Sequence, residues 1–316
     1  MCVPLEDAPR CFERLAVHGQ RLYAESFRRI FIWDTARGEL LSFHDTEAPL
    51  DSATLAISAD GRRFATAHGK RGMALWDADS FARLRVFAGH SEEVATIRFV
   101  SADDLVSCSG DGSLRRWNAT SGEEIGCFET SPLYSLALHP KEKLIAAGGS
   151  LGGKGLVVIL DVDSLQLTEQ IELDVSTQPF PPISERGRRS AGITAERRDK
   201  ALVSCLAWHL DGRHLLAGSW DRTLKLVERN ASRLSREWAG HSHWVSAIAM
   251  TQSGHILTSG GSDGKLIGWS LDAPDPVLML ELGAPIGDMC LAGGRLYAAV
   301  EGDIQIFSLP RELREA

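Results

Sequence analysis

Residues 89–118 read GHSEEVATIRFVSADDLVSCSGDGSLRRWN, and this stretch decides the fold. Val94-Ala95-Thr96-Ile97-Arg98-Phe99 alternates apolar and polar side chains, as a strand with one buried face should. Leu105-Val106-Ser107-Cys108-Ser109 reads as a second strand. Gly110-Asp111-Gly112 then makes a tight turn, since glycine tolerates positive φ. Leu114-Arg115-Arg116-Trp117 is the third strand, and Thr120-Ser121-Gly122 turns into a fourth, Glu124–Phe128. Four short strands joined by tight turns predict one small antiparallel sheet.

The unit recurs along the chain. Trp33-Asp34, Trp76-Asp77, Trp117-Asn118 and Trp269-Ser270 mark the same place in successive copies. Trp33 to Trp76 is 43 residues, Trp76 to Trp117 is 41, and Val227 to Trp269 is 42. A period of this size denotes one sheet per repeat, stacked or closed into a ring. Seven units follow this grammar: A (11–45), B (48–90), C (91–130), D (131–173), E (201–241), F (242–283) and G (284–309). Unit G has three clear strands, and residues 2–6 are expected to supply its fourth, so that the chain ends pair and close the ring.

The period breaks once. Leu160 and Val227, equivalent places in D and E, are 67 residues apart. The excess lies at 174–200, which carries Gln178-Pro179-Phe180-Pro181-Pro182 and then six Lys/Arg against three Asp/Glu in 185–200. Such composition predicts a mobile basic insertion.

Bulk composition restricts the function classes. A formal charge of −8 disfavours broad binding to nucleic acid or anionic membrane. No run reaches the about 18 apolar residues of a membrane span, and Met1–Asp7 lacks the pattern of a secretory leader, so a cytoplasmic location is expected. The six cysteines (2, 11, 108, 127, 205 and 290) form no C-x-x-C pair and predict free thiols. No metal and no cofactor are expected: His241 and His243 are the nearest approach to a ligand pair, and His241 has a structural use. Gly148–Gly155 approaches a phosphate-binding loop, but Gly155 replaces the magnesium-binding hydroxyl and a strand, not a helix, follows.

In unit C, His90, Ser107, Asp111 and Trp117 can form one hydrogen-bonded chain: carboxylate to imidazole, imidazole to hydroxyl, hydroxyl to indole. In unit F the matching residues are taken as His241, Ser259, Asp263 and Trp269. A His-Ser-Asp set invites a catalytic reading, yet a nucleophile must be exposed beside an oxyanion hole, and these serines sit inside strands. Recurrence in two units favours a structural network.

This GH…Ser-x-x-x-Asp-Gly…Trp pattern resembles the WD40-repeat family over residues 11–309. The signature is full in C and F. It is degenerate elsewhere: E has Ala217 and Val227 in place of hydroxyl and tryptophan, and B has Lys70 at the turn acid. The resemblance implies an all-β, seven-bladed WD40-type propeller with four antiparallel strands per blade. It also implies that partners bind the face carrying the loops before each first strand and the turns between second and third strands. On that face lie Trp220, Trp244, Tyr134 and His243, flanked by the acids Asp51, Glu92 and Glu93. The implied function is a non-catalytic protein-interaction scaffold or adaptor within a larger assembly, with proteins as partners and the 174–200 segment as a candidate clamp. RNA or chromatin recognition is an alternative, and a propeller enzyme such as a lactone hydrolase a weaker one.

Overall fold

The structure, a computed structural model, describes residues 12–26, 29–46, 54–69, 71–177, 201–231, 233–301 and 303–314. The segment 2–6, Asp51 and most of the 174–200 segment lie outside these residues, and with them the expected closing strand.

Seven antiparallel sheets are present. Blades A to F each have four strands in sequential order, and blade G has three among the described residues. In blade C the strands are Val94–Phe99, Asp104–Ser109, Ser113–Asn118 and Glu124–Glu129. The first strand of every blade lies innermost and touches its counterparts in the two neighbouring blades, including G against A, so the ring closes. After the third strand of blade G, Leu309 and Leu313 tuck into the F–G interface, and Leu313 sits in a short helix, Arg311–Arg314. Ser253 Oγ donates to Leu313 O at 3.0 Å and holds this end on blade F.

Isolated sheets of this size would leave both faces in water. The ring solves this with seven buried apolar clusters, one between each neighbouring pair of blades. In the B–C cluster, Phe87 of blade B meets Ile97, Leu105 and Trp117 of blade C. Burying each such side chain contributes about 1.5–3 kcal/mol. The fourth strands are half wet: Leu84 and Val86 of blade B remain 44% and 45% exposed.

Polar links reinforce the apolar layers. Around the channel, inner strands bond blade to blade: Ile97 N–H to Thr54 Oγ1 (3.0 Å), Thr96 Oγ1 to Tyr134 O (3.0 Å) and Ser246 Oγ to Ile286 O (3.1 Å). The G–A junction uses the same device, with Leu15 N–H donating to Asp288 Oδ2 at 2.9 Å. On the opposite rim, the imidazole at the end of a first strand reaches the next blade's turn. His139 Nε2 lies 2.9 Å from Gly212 O, and His209 Nε2 lies 3.3 Å from Gly254 O.

Candidate functional site

The inner strands carry bulges near one end. Pairing skips between Leu133 and Ser135, Val203 and Cys205, and Val245 and Ala247. A bulge leaves one residue unpaired and re-aims its side chain. The residues skipped by the ladder are Tyr134, Ser204 and Ser246, and all three line a cavity of about 420 Å³ at the mouth of the channel. Trp220 and Trp244 complete its wall, with Glu13 and Arg14 from blade A.

Both indoles are set by backbone. Trp220 N–H donates to Leu202 O at 2.9 Å, and Gly261 N–H donates to Trp244 O at 3.0 Å. Each bond ties a turn to the loop before the first strand of the same blade. A Cβ at Gly261 would lie 2.4 Å from Trp244 Nε1, so the indole occupies the space that glycine leaves. Trp220 and Trp244 then stack, with centroids 5.7 Å apart and planes at 25°. Both rings are only partly buried.

The structure brings Tyr134, Trp220 and Trp244 together, as their shared face predicts, and packs His243 against Trp244. His243 is 7% exposed. Its ring lies 3.7 Å from that of Trp244, and its Nδ1 accepts Ser262 N–H at 3.2 Å. It packs against Trp244. Glu92 and Glu93 are exposed on the loop before blade C, outside the cavity wall. Glu13 and Arg14 were not legible as site residues, because blade A lacks the motif that would have aligned them.

The structural networks are present, with one correction. In blade C, His90 Nδ1 lies 3.0 Å from Asp111 Oδ2 and Nε2 lies 2.8 Å from Ser107 Oγ. Trp117 Nε1 donates to the same hydroxyl at 2.9 Å. Burial would raise the Asp111 carboxyl, but Ser113, Ser91 and His90 together hold it down at about 2. Burial lowers the His90 imidazole, and Asp111 only partly opposes that. In blade F the hydroxyl is Thr258, not Ser259: His241 Nε2 lies 2.9 Å from Thr258 Oγ1, and Trp269 Nε1 donates to it at 2.8 Å. The turn Gly260-Gly261-Ser262-Asp263 is one residue longer than Ser109-Gly110-Asp111, so the same count back from the tryptophan stops one place short, at Ser259. Ser259 faces the inner strand, where its hydroxyl meets Ser246 Oγ at 2.9 Å. Ser107, Thr258 and Ser259 are all fully buried, so none is placed as a nucleophile.

Blade E replaces the network. Lys225, fully buried, donates to Asp221 and to Thr223 Oγ1 (2.7 Å). In blade C the same two neighbours, Asp111 and Ser113, meet His90 Nδ1. The ammonium thus fills the imidazole's place. Ser176 N–H donates to Asp221 Oδ2 at 3.0 Å, as Ser91 N–H does to Asp111 at 2.9 Å. The start of the 174–200 segment is therefore fixed beside Trp220's sequence neighbour. Gly148–Gly155, the phosphate-loop lookalike, is part of a two-strand hairpin in which Leu151 pairs with Lys154.

Seven sheets around a channel, locked by buried His–hydroxyl–Trp chains and opening at an aromatic mouth, define a β-propeller of the repeat type. The WD domain, G-beta repeat, matches residues 81–118, 194–228 and 232–270, and the chain is a WD40-repeat propeller. It is 33% identical to small ribosomal subunit protein RACK1y of Oryza sativa subsp. japonica over 101 residues, 31% of this chain and 30% of that protein. It is 23% identical to nuclear distribution protein nudF of Aspergillus niger over 248 residues, 77% of this chain and 54% of that protein. It is 24% identical to MST50-interacting protein 11 of Pyricularia oryzae over 121 residues, 37% of this chain and 38% of that protein. The matches thus span 30% to 54% of the length of these relatives. Among the described residues, no helix is long and apolar enough to cross a membrane.

Proposed function

We propose that this chain is a non-catalytic platform that binds a protein partner at the aromatic mouth. The observation that carries this reading is the stacked Trp220–Trp244 pair, partly exposed and set with Tyr134 around a cavity of about 420 Å³. Aromatic side chains in a pocket act as anchors of protein interfaces, where truncating one costs about 2 kcal/mol or more. Bulges, glycine and backbone bonds hold these rings in place before any partner arrives, which reduces the ordering cost of binding. The names of the relatives, a ribosomal subunit protein and a protein called MST50-interacting, support membership in an assembly. The partner is bound as an extended segment that inserts an apolar or cationic side chain between the indoles and Glu13. The 178–200 segment contributes as a clamp anchored at Ser176.

The test is affinity purification from the native host with wild type, Trp220→Ala/Trp244→Ala, and a deletion of 178–200. A protein retained by wild type and lost by the double variant supports the mouth as the site. Equal retention by both, with both variants folded, rejects it. Loss of affinity on deletion supports the clamp.

A further inference from the structure

The turn between the first two strands of blade E, His209-Leu210-Asp211-Gly212-Arg213-His214, lies on the face opposite the aromatic mouth. Gly212 adopts φ +71° and donates to His209 O at 3.0 Å, which folds the turn back on itself. Asp211 Oδ1 accepts the backbone N–H groups of Arg213 (2.7 Å) and His214 (3.1 Å). Oδ2 is left facing two imidazoles, 2.7 Å from His214 Nδ1 and 3.0 Å from His209 Nδ1. The three atoms lie within 4.8 Å of one another.

The His209 tautomer sharpens the picture. Its Nε2 is the inter-blade latch to Gly254 O, so that nitrogen carries the proton. In the neutral ring, Nδ1 then presents a lone pair to a carboxylate oxygen. Two acceptors at 3.0 Å repel unless a second ring proton or a metal ion lies between them. Blade D supplies an internal control. His139 makes the same latch to Gly212 O, but its Nδ1 is satisfied by the backbone N–H groups of Lys141 (3.1 Å) and Glu142 (2.8 Å). The Glu142 carboxylate turns away to Arg229 at 2.9 Å. In blade E the backbone donor, Asp211 N–H, reaches Nδ1 only at 3.3 Å, and the carboxylate turns inward.

We propose that His209 Nδ1, Asp211 Oδ2 and His214 Nδ1 bind a divalent transition-metal ion of the zinc class. Two imidazoles and one carboxylate with one side open to solvent suit such an ion, which takes a fourth ligand from water. Donation of the second His209 nitrogen to a backbone carbonyl is the usual orienting contact of a ligating imidazole. Ca²⁺ and Mg²⁺ are hard cations that take oxygen ligands, so a set dominated by imidazole nitrogen does not suit them. Lys141 Nζ, 3.5 Å from Asp211 O, is a nearby positive group that opposes binding. The site ties blade E to blade F, so bound metal stiffens that junction.

The experiment titrates untagged full-length protein with Co²⁺, followed by visible absorption, and then displaces it with Zn²⁺. His214→Ala and Asp211→Asn are run alongside, with circular dichroism to verify folding. The expected result is one equivalent of Co²⁺ with a four-coordinate spectrum, displaced by Zn²⁺. Each variant should weaken binding at least about tenfold, the loss typical even of an orienting partner. Should one variant fail to fold, the other decides. The proposal is overturned if wild type binds neither ion at millimolar concentration, or if both variants bind as wild type does.

Discussion

Blades C and E solve one problem with different chemistry. Each must bury an aspartate at the turn between its second and third strands. Blade C satisfies Asp111 with a hydrogen bond from a buried imidazole that runs on to Ser107 and Trp117. Blade E neutralises Asp221 with the buried ammonium of Lys225, which comes from the third strand of the same blade. The imidazole solution requires a histidine in the loop before the blade, and that loop must keep its geometry. The lysine solution does not. Blade E can therefore open its loop into the 174–200 segment and place Trp220 where blade C has Gly110. The substitution moves the group that satisfies the turn aspartate from the loop to the third strand.

The comparison can be broken most forcefully at Lys225. Lys225→Met leaves Asp221 as a buried, unpaired charge, and should cost about 3–5 kcal/mol in denaturant unfolding. Lys225→Met/Asp221→Asn should recover most of that loss, because the pair as a whole is worth little beyond its own desolvation. If the single and double variants are equally unstable, Lys225 is not the substitute for the imidazole.

Smaller effects distinguish the two tetrad blades. Ser107→Ala and Thr258→Val each strand an indole N–H and an imidazole, and should cost about 1–3 kcal/mol. Ser259→Ala removes only a hydroxyl contact to Ser246 and should cost about 1 kcal/mol or less. Equal losses at Thr258 and Ser259 would restore the assignment made from sequence spacing.

The smallest effect comes from blade A, which has neither solution. Ala24 stands at the hydroxyl position, and the adjacent Glu25 is buried and pushed well above the carboxylate range, chiefly by desolvation, with Arg14 partly opposing. A raised native value adds stability below the unfolded value of about 4.3 that is lost as pH rises through the native one. Glu25→Gln should therefore raise Tm over wild type at neutral pH, and the gap should close as pH falls toward about 4. Asp111 runs the other way: its lowered value, about 2, supplies stability above the unfolded range that is lost on acidification.

The repeat period made the ring legible, because strand alternation, turn glycines and the tryptophan marks all recur together. The aromatic mouth was legible in Trp220, Trp244 and Tyr134, since positions counted from the blade start fall on one face. Three things were not. Thr258 was hidden by a one-residue change in turn length. Lys225 was hidden because no motif places a lysine in a histidine's seat. The convergence of His209, Asp211 and His214 depends on the rotamers of one turn, and in the sequence they are simply two of ten scattered histidines and one of many acids.

The most direct measurement compares Trp220→Ala with wild type in both partner binding and thermal unfolding. If blade E satisfies Asp221 from its third strand and not from the loop, Trp220→Ala should lose the partner by about 2 kcal/mol or more while Tm stays close to that of wild type. A variant that unfolds early, or that binds as well as wild type, would contradict the account.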